Sequence, residues 1–248
     1  MKKIHYILIC FAIVAVCTLA WLGTIASPDM LDPAPQPHLI ELMLFDAQKS
    51  TVRVSVEYEG TFKHVGSGFV ASPDGYIITA RHVADMPAPY RVTWQNGIYA
   101  DAAVVFVSTF TDCAVLKIDG VGLDCLSLRA TRPHLGETVY VIGNPVGELF
   151  ENYVTRGIVA KLRVALPALN LTDLFMIDAA VNVGNSGGPI FDEHGYVIGI
   201  AIAKMPHADG MGFAVCAEDI ADTLQKARNE KRARSSSASA VEAAAVGS

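Results

Sequence analysis

An all-β protein of antiparallel Greek-key sheets or barrels is predicted by three observations on the 248 residues. Short apolar and β-branched runs recur in two series of about six, turn residues separate them, and no long amphipathic helix lies between them. Helices between strands are what a doubly wound parallel sheet needs, so their absence excludes that architecture.

The first series reads as strands over Thr51–Tyr58, Gly68–Ala71, Tyr76–Thr79, Tyr90–Trp94, Ala102–Val107 and Ala114–Ile118. Ser72-Pro73-Asp74-Gly75 and Gln95-Asn96-Gly97 carry the turn chemistry of hairpins. The second series covers Thr138–Ile142, Tyr153–Leu162, Leu174–Ala179, Ile190–Phe191, Tyr196–Ala203 and Gly212–Val215. His38–Gln48 has the composition of a short helix, and Glu218–Arg228 that of a short C-terminal helix closing the domain. Beyond it, Lys226, Arg228, Lys231, Arg232 and Arg234 read as a solvated helix end. The Ser/Ala/Gly-rich residues that follow lack the variety to bury a core, so 229–248 is expected to be a disordered tail.

Ahead of this pattern, Met1-Lys2-Lys3 and the apolar run Ile4–Ala26 form a targeting segment. About 20 apolar residues span a bilayer and a cleavable signal has a core of roughly 7–15, so 1–26 reads as a transmembrane signal anchor, with Thr24-Ile25-Ala26 keeping cleavage after Ala26 open. Lys2 and Lys3 place the amino terminus inside and the rest of the chain across the membrane, periplasmic or extracellular. Pro28, Pro33, Pro35 and Pro37 make residues 27–37 a semi-rigid linker. The folded domain is then 38–228, with its two halves at about 50–125 and 137–217.

A formal net charge of -6 argues against nucleic acid as a partner, since phosphate binding needs concentrated Lys and Arg. No Cys-x-x-Cys or His-Glu-x-x-His spacing supports a metal site. Cys113, Cys125 and Cys216 read as small buried apolar side chains, with a Cys113–Cys125 pair left open.

The chemistry concentrates at Gly184-Asn185-Ser186-Gly187-Gly188-Pro189, where a serine between glycines is set to expose its hydroxyl. A serine needs a base to take its proton and an acid to orient that base. His82 closes the run Thr79-Ala80-Arg81-His82, and Asp112 opens Thr111–Ile118, giving the order His82, Asp112, Ser186. The glycines also fit the nucleophile elbow of α/β-hydrolases, but that fold requires its histidine after the serine and alternating helices, neither of which this sequence has. His64, His134, His194 and His207 lie near turn residues or prolines and are expected to be solvent-exposed bystanders.

With these residues in view, the chain resembles the chymotrypsin-like serine proteases, and within them the HtrA/Deg type, over about Thr51–Ile220. The matching phrases are Gly66-Ser67-Gly68-Phe69-Val70, Pro73–Thr79, the segment around Asp112, Gly143-Asn144-Pro145, Thr155–Val159, Asp178–Asn182, the Ser186 loop, Gly199-Ile200 and Gly212–Val215. The resemblance implies two perpendicular six-stranded β-barrels with a cleft between them, His82 as base, Asp112 as its orienting acid and Ser186 as nucleophile. It implies an oxyanion hole from the N–H groups of Gly184 and Ser186, and a mechanism without cofactor. It places Ala180, Val181, Ile200, Ala201 and Ile202, with Met205, around the pocket for the residue before the cleaved bond. With no carboxylate at the pocket's expected base, cleavage after small or medium apolar residues is expected.

The implied activity is an endopeptidase acting on unfolded or extended polypeptide in extracytoplasmic quality control or processing. The other reading of the same fold is a catalytically silent peptide-binding protein, against which the complete set of three side chains argues. Trimers are common in the family through residues ahead of the first barrel, for which Leu42, Leu44 and Phe45 are candidates, although a helix covering the core accounts for them equally. The 36 residues after Gly212 are too few for the PDZ domain many such proteases carry.

Overall fold

The computed structural model describes residues 37–145, 151–204 and 210–246. The expected membrane anchor and all but the last residue of the proline-rich linker lie outside these residues, as do Met205 and His207. Among the described residues no helix is long and apolar enough to cross a membrane.

Helix α1 (Pro37–Ser50) leads into the first six strands: β1 (Thr51–Tyr58), β2 (Thr61–Val70), β3 (Tyr76–Thr79), β4 (Tyr90–Thr93), β5 (Tyr99–Val107) and β6 (Ala114–Lys117). A second six follow: β7 (Thr138–Gly143), β8 (Tyr153–Leu166), β9 (Leu171–Ile177), β10 (Pro189–Phe191), β11 (Val197–Lys204) and β12 (Gly212–Cys216). Each set closes into a barrel with the same neighbour order, β1-β2-β3-β6-β5-β4 and β7-β8-β9-β12-β11-β10. Every strand pair is antiparallel. Closure removes the exposed strand edges that an open sheet would leave.

Alternation of side chains on β1 explains why the first barrel forms where it does. Val52, Val54 and Val56 are essentially buried, while Arg53 among them and Glu57 beyond them stay partly exposed. With Phe69, Ile77, Ile78, Tyr90, Val92, Val115 and Leu116 they fill that barrel, each large apolar side chain contributing about 1.5–3 kcal/mol by leaving water. The second barrel is filled by Val139, Val141, Val159, Phe175, Ile177, Ile190, Ile198 and Ala214. The β2–β3 turn closes as its residue types predict, with Gly75 N–H donating to Ser72 O at 3.0 Å and Ala71 N–H to Tyr76 O at 2.8 Å.

The segment between the barrels is stitched to both. Leu126 N–H donates to Val70 O on the first, and Arg129 N–H to Val197 O on the second, each at 2.9 Å. Arg129 also bonds the carboxylates of Glu137 and Asp192, and all three are largely buried. Helix α2 (Ala217–Val246) packs on β3, β5 and β6 of one barrel and on β11 and β12 of the other, burying Ile220, Thr223, Leu224 and Ala227 at helical spacing. Glu218 and Asp219 in its first turn complement the helix dipole. It continues to Val246, past Arg228 where the composition suggested an end and a disordered tail from 229. The extension is rich in Ala, the strongest helix former, and this outweighs its serines and its inability to bury a face.

Candidate active site

His82 and Asp112 meet because of one register. β3 and β6 are antiparallel neighbours pairing Thr79 with Ala114. His82, in a 3₁₀ turn Arg81–Val83 just past β3, and Asp112, just ahead of β6, therefore lie at the same end of adjacent strands. Ser108 shapes the loop that delivers the acid: its Oγ accepts the N–H groups of Phe110 and Thr111 at 3.3 and 3.2 Å, and its N–H donates to Cys113 O at 3.0 Å. Behind Asp112, Cys113 is fully buried, and burial pushes its thiol up to about 12, so it stays protonated and inert.

The Asp112 carboxylate, 5% exposed, holds His82 twice. It accepts the His82 backbone N–H at 3.0 Å and ring Nδ1 at 2.7 Å. A carboxylate only accepts, so Nδ1 bears the hydrogen and Nε2 keeps its lone pair. The imidazole is 47% exposed, open to a reacting partner.

Ser186 sits in the loop between β9 and β10. Asn185 N–H donates to Asn182 O at 3.0 Å, closing a tight turn in which Gly184 has φ +100°, a conformation that disfavours any other residue. Gly188 N–H donates to Asn185 O at 2.8 Å, and Gly187 N–H to Ala201 O on β11 at 2.7 Å. The loop is then pinned across the barrels: Ser67 N–H on β2 donates to Ser186 O at 2.8 Å, and Ser67 Oγ donates to Gly184 O at 2.7 Å. Gly187, at φ +86°, lies so close to Ser67 O, Thr79 Oγ1 and Ala80 N that a Cβ there would collide with all three. Thr79 and Ala80 lead directly into the His82 turn, so the serine loop is seated against the backbone that carries the histidine. The Ser186 hydroxyl itself donates to Ile202 O at 3.3 Å. Among the described residues, the N–H groups of Gly184 and Ser186 have no hydrogen-bond acceptor.

A family profile described as "Trypsin-like peptidase domain" matches residues 66–200, which run from the glycine ahead of Ser67 to β11 and contain His82, Asp112 and Ser186. The chain belongs to the trypsin-like peptidase family. It is 35% identical over 167 residues to the putative serine protease HhoB of Synechocystis sp., covering 64% of this chain and 40% of that protein. It is 38% identical over 168 residues to a probable periplasmic serine endoprotease DegP-like of Pseudomonas savastanoi pv. phaseolicola, covering 65% of this chain and 35% of that one. The chain thus spans less than half the length of these relatives. The crystal structure of the serine endoprotease from Yersinia pestis superposes with a TM-score of 0.66 at 31% identity, covering 78% of this chain and 68% of that one. The HtrA-type protease AlgW with decapeptide gives 0.68 at 26% identity, covering 77% and 67%.

Of the residues expected to wall a substrate pocket, Ile200, Ala201 and Ile202 are buried on β11, and the Ile202 carbonyl touches the Ser186 hydroxyl. Val181 and Ala201 belong to the interior of the second barrel. Ala180 is exposed, its carbonyl accepting Thr155 Oγ1 at 3.0 Å.

Two expectations about other side chains are corrected. Cys125 is exposed, not buried, and Cys113, Cys125 and Cys216 are all free thiols. His64 is half-buried, with Nδ1 3.2 Å from Val54 O and Nε2 2.6 Å from Asn144 O; strand β2 begins earlier than its apolar run suggests and carries the ring under the loop after β7. Burial holds its pKa below the usual value, outweighing the pull of the two carbonyls. His134 and His194 are exposed. Sequence reasoning assigned no role to Ser67 and Asn144, although both stand in glycine-bearing phrases where a small polar residue interrupts apolar strand ends. Among the described residues, no group of three or more His, Cys, Asp or Glu is arranged to hold a metal ion.

Proposed function

We propose that this protein is a serine endopeptidase that cuts unfolded or extended polypeptide through an acyl-enzyme at Ser186. The observation that carries the reading is the double hold of Asp112 on His82, 2.7 Å at the ring and 3.0 Å at the backbone, beside a serine loop pinned to the same barrel.

The chemistry follows from the groups present. In this mechanism the Ser186 hydroxyl leaves Ile202 O for His82 Nε2, whose lone pair takes its proton as Oγ attacks the peptide carbonyl. The Gly184 and Ser186 N–H groups receive the developing oxyanion; one such donor is worth about 10²–10³-fold in rate. His82 then passes its proton to the leaving amine, and water releases the acyl group by the reverse path. Asp112 stabilises the imidazolium throughout. An extended substrate suits such a cleft because its backbone hydrogen-bonds as an added strand, and the Ala180–Val181 and Ile200–Ile202 segments flank the residue before the cut, with Ile202, whose carbonyl meets the Ser186 hydroxyl, nearest to it.

The same reading places the domain outside the cytoplasm, periplasmic or extracellular, tethered or released at residues 1–26, as the periplasmic relatives' names suggest. It includes homotrimer assembly through α1, where Leu42 and Phe45 stand 47% and 59% exposed, whereas Leu44 packs on the core.

Incubating the purified chain with a reduced, carboxymethylated protein tests the proposal. The wild type is expected to yield fragments ending mainly in small or medium apolar residues, and Ser186→Ala none. Stoichiometric binding of an uncut substrate by the wild type would establish the silent peptide-binding reading instead.

A further inference from the structure

Ser67 grips the serine loop at two successive points. Its hydroxyl donates to Gly184 O and its N–H donates to Ser186 O, at 2.7 and 2.8 Å. These carbonyls belong to the Gly184–Asn185 and Ser186–Gly187 peptides. Both peptides are also tied on their opposite edges, Asn185 N–H to Asn182 O at 3.0 Å and Gly187 N–H to Ala201 O at 2.7 Å. The one peptide between them, Asn185–Ser186, bears the Ser186 N–H. A trans peptide directs its N–H opposite to its carbonyl, and Asn185 O accepts Gly188 N–H at 2.8 Å. The Ser186 N–H therefore points away from the side on which Gly188 N–H holds Asn185 O, and it makes no backbone hydrogen bond among the described residues.

The hydroxyl is itself fixed. Ser67 is fully buried and its Oγ accepts Asn144 N–H at 2.8 Å, so its own hydrogen is free for Gly184 O. Asn144 is anchored in turn: its side-chain oxygen takes Asn152 N–H at 3.0 Å, and its carbonyl lies 2.6 Å from His64 Nε2. Ser67 O accepts Thr79 Oγ1 at 2.7 Å, tying the same residue to the strand end that leads to His82.

We infer that Ser67 is the positioning residue of the oxyanion hole, its hydroxyl holding the Gly184–Asn185 peptide so that the neighbouring N–H groups converge on the reacting oxygen. This rests on the peptidase reading above. Ser67 acts where the oxyanion forms, in the tetrahedral intermediate and the transition states flanking it; ground-state binding of substrate through its side chains and outer backbone is untouched.

The test is Ser67→Ala in the whole chain, which keeps the N–H bond to Ser186 O and removes only the hydroxyl. With a fluorogenic peptide the variant is expected to lose about 10–100-fold in kcat, with KM within about twofold, as misplaced reacting groups cost on that order. Affinity for a peptide aldehyde, whose adduct with Ser186 places an oxygen in the hole, should fall in parallel, while affinity for the corresponding peptide alcohol should not. A structural defect would instead lower the melting temperature and the active fraction without splitting aldehyde from alcohol. Equal kcat and equal aldehyde affinity in wild type and variant, or equal losses for both ligands, overturns the inference while leaving the peptidase intact. A wild type that neither cleaves nor binds the aldehyde sinks the peptidase reading and the role of Ser67 with it.

Discussion

The two barrels bring unequal contributions to the cleft. The first presents His82 and Asp112 already joined, both within a few residues of the paired strands β3 and β6. The second presents Ser186 on a loop whose hydroxyl turns to the Ile202 carbonyl of its own barrel. Strand register suffices to assemble the pair, since a few residues past paired positions cannot stray far. The loop lacks that support: its local turns are closed by Asn182 and Asn185, but its seat against the first barrel is set by bonds to Ser67, at a sequence distance no local rule covers.

Breaking the first half has the largest expected effect. Asp112→Asn preserves size but can donate to Nδ1, moving the imidazole hydrogen to Nε2 and removing the base; kcat should fall by about 10⁴-fold. The urea midpoint should move little by comparison. A drop in kcat of less than tenfold would mean that the carboxylate is not what orients the ring.

Breaking the seating of the second half comes next. Gly187→Ala places a methyl group against Ser67 O, Thr79 Oγ1 and Ala80 N at a φ of +86°, which should cost about 2–4 kcal/mol of stability in urea unfolding. The same substitution at Gly97, on the open β4–β5 turn with a similar φ of +79° and nothing near its side-chain position, should cost only about 1–2 kcal/mol. Equal losses at the two sites would show that backbone conformation, not the barrel-to-barrel seating, carries the effect.

The smallest effect sharpens the boundary between the halves. The His64 ring nitrogens face carbonyls of both barrels, the neutral ring donating to one of them, and burial depresses its pKa, with Arg53 adding to the depression and Glu151 opposing it. The folded protein therefore holds a proton on His64 less readily than the unfolded chain. Its contribution to stability is complete above the unfolded value of about 6.5 and declines as pH falls from there towards the folded pKa, below which it levels off. Unfolding midpoints measured from pH 8 to 5 should decline less steeply in His64→Gln than in the wild type; parallel slopes would remove His64 from the account.

The same contrast explains what could be read from the residues alone. Period-two alternation and turn chemistry mark β1 and β3 at their observed ends, because a strand's pattern is local. The meeting of His82 with Asp112 and the tight glycine turn at Ser186 were legible from their immediate neighbours. The hydroxyl of Ser67 was not, since its partners Gly184 and Asn144 are 117 and 77 residues away. Nor was the burial of His64, which depends on β2 starting at Thr61 among polar residues. The helix beyond Arg228 shows propensity prevailing where composition suggested disorder.

The claim at the centre is that His82 makes Ser186 reactive although the hydroxyl rests on Ile202 O. Intact-mass analysis after exposure to a fluorophosphonate, followed by peptide mapping, tests it directly. The wild type should gain a single adduct on the peptide containing Ser186, and His82→Ala should gain it more slowly by about 10³-fold or more. An adduct formed equally fast in His82→Ala, or none in the folded wild type, would contradict the account.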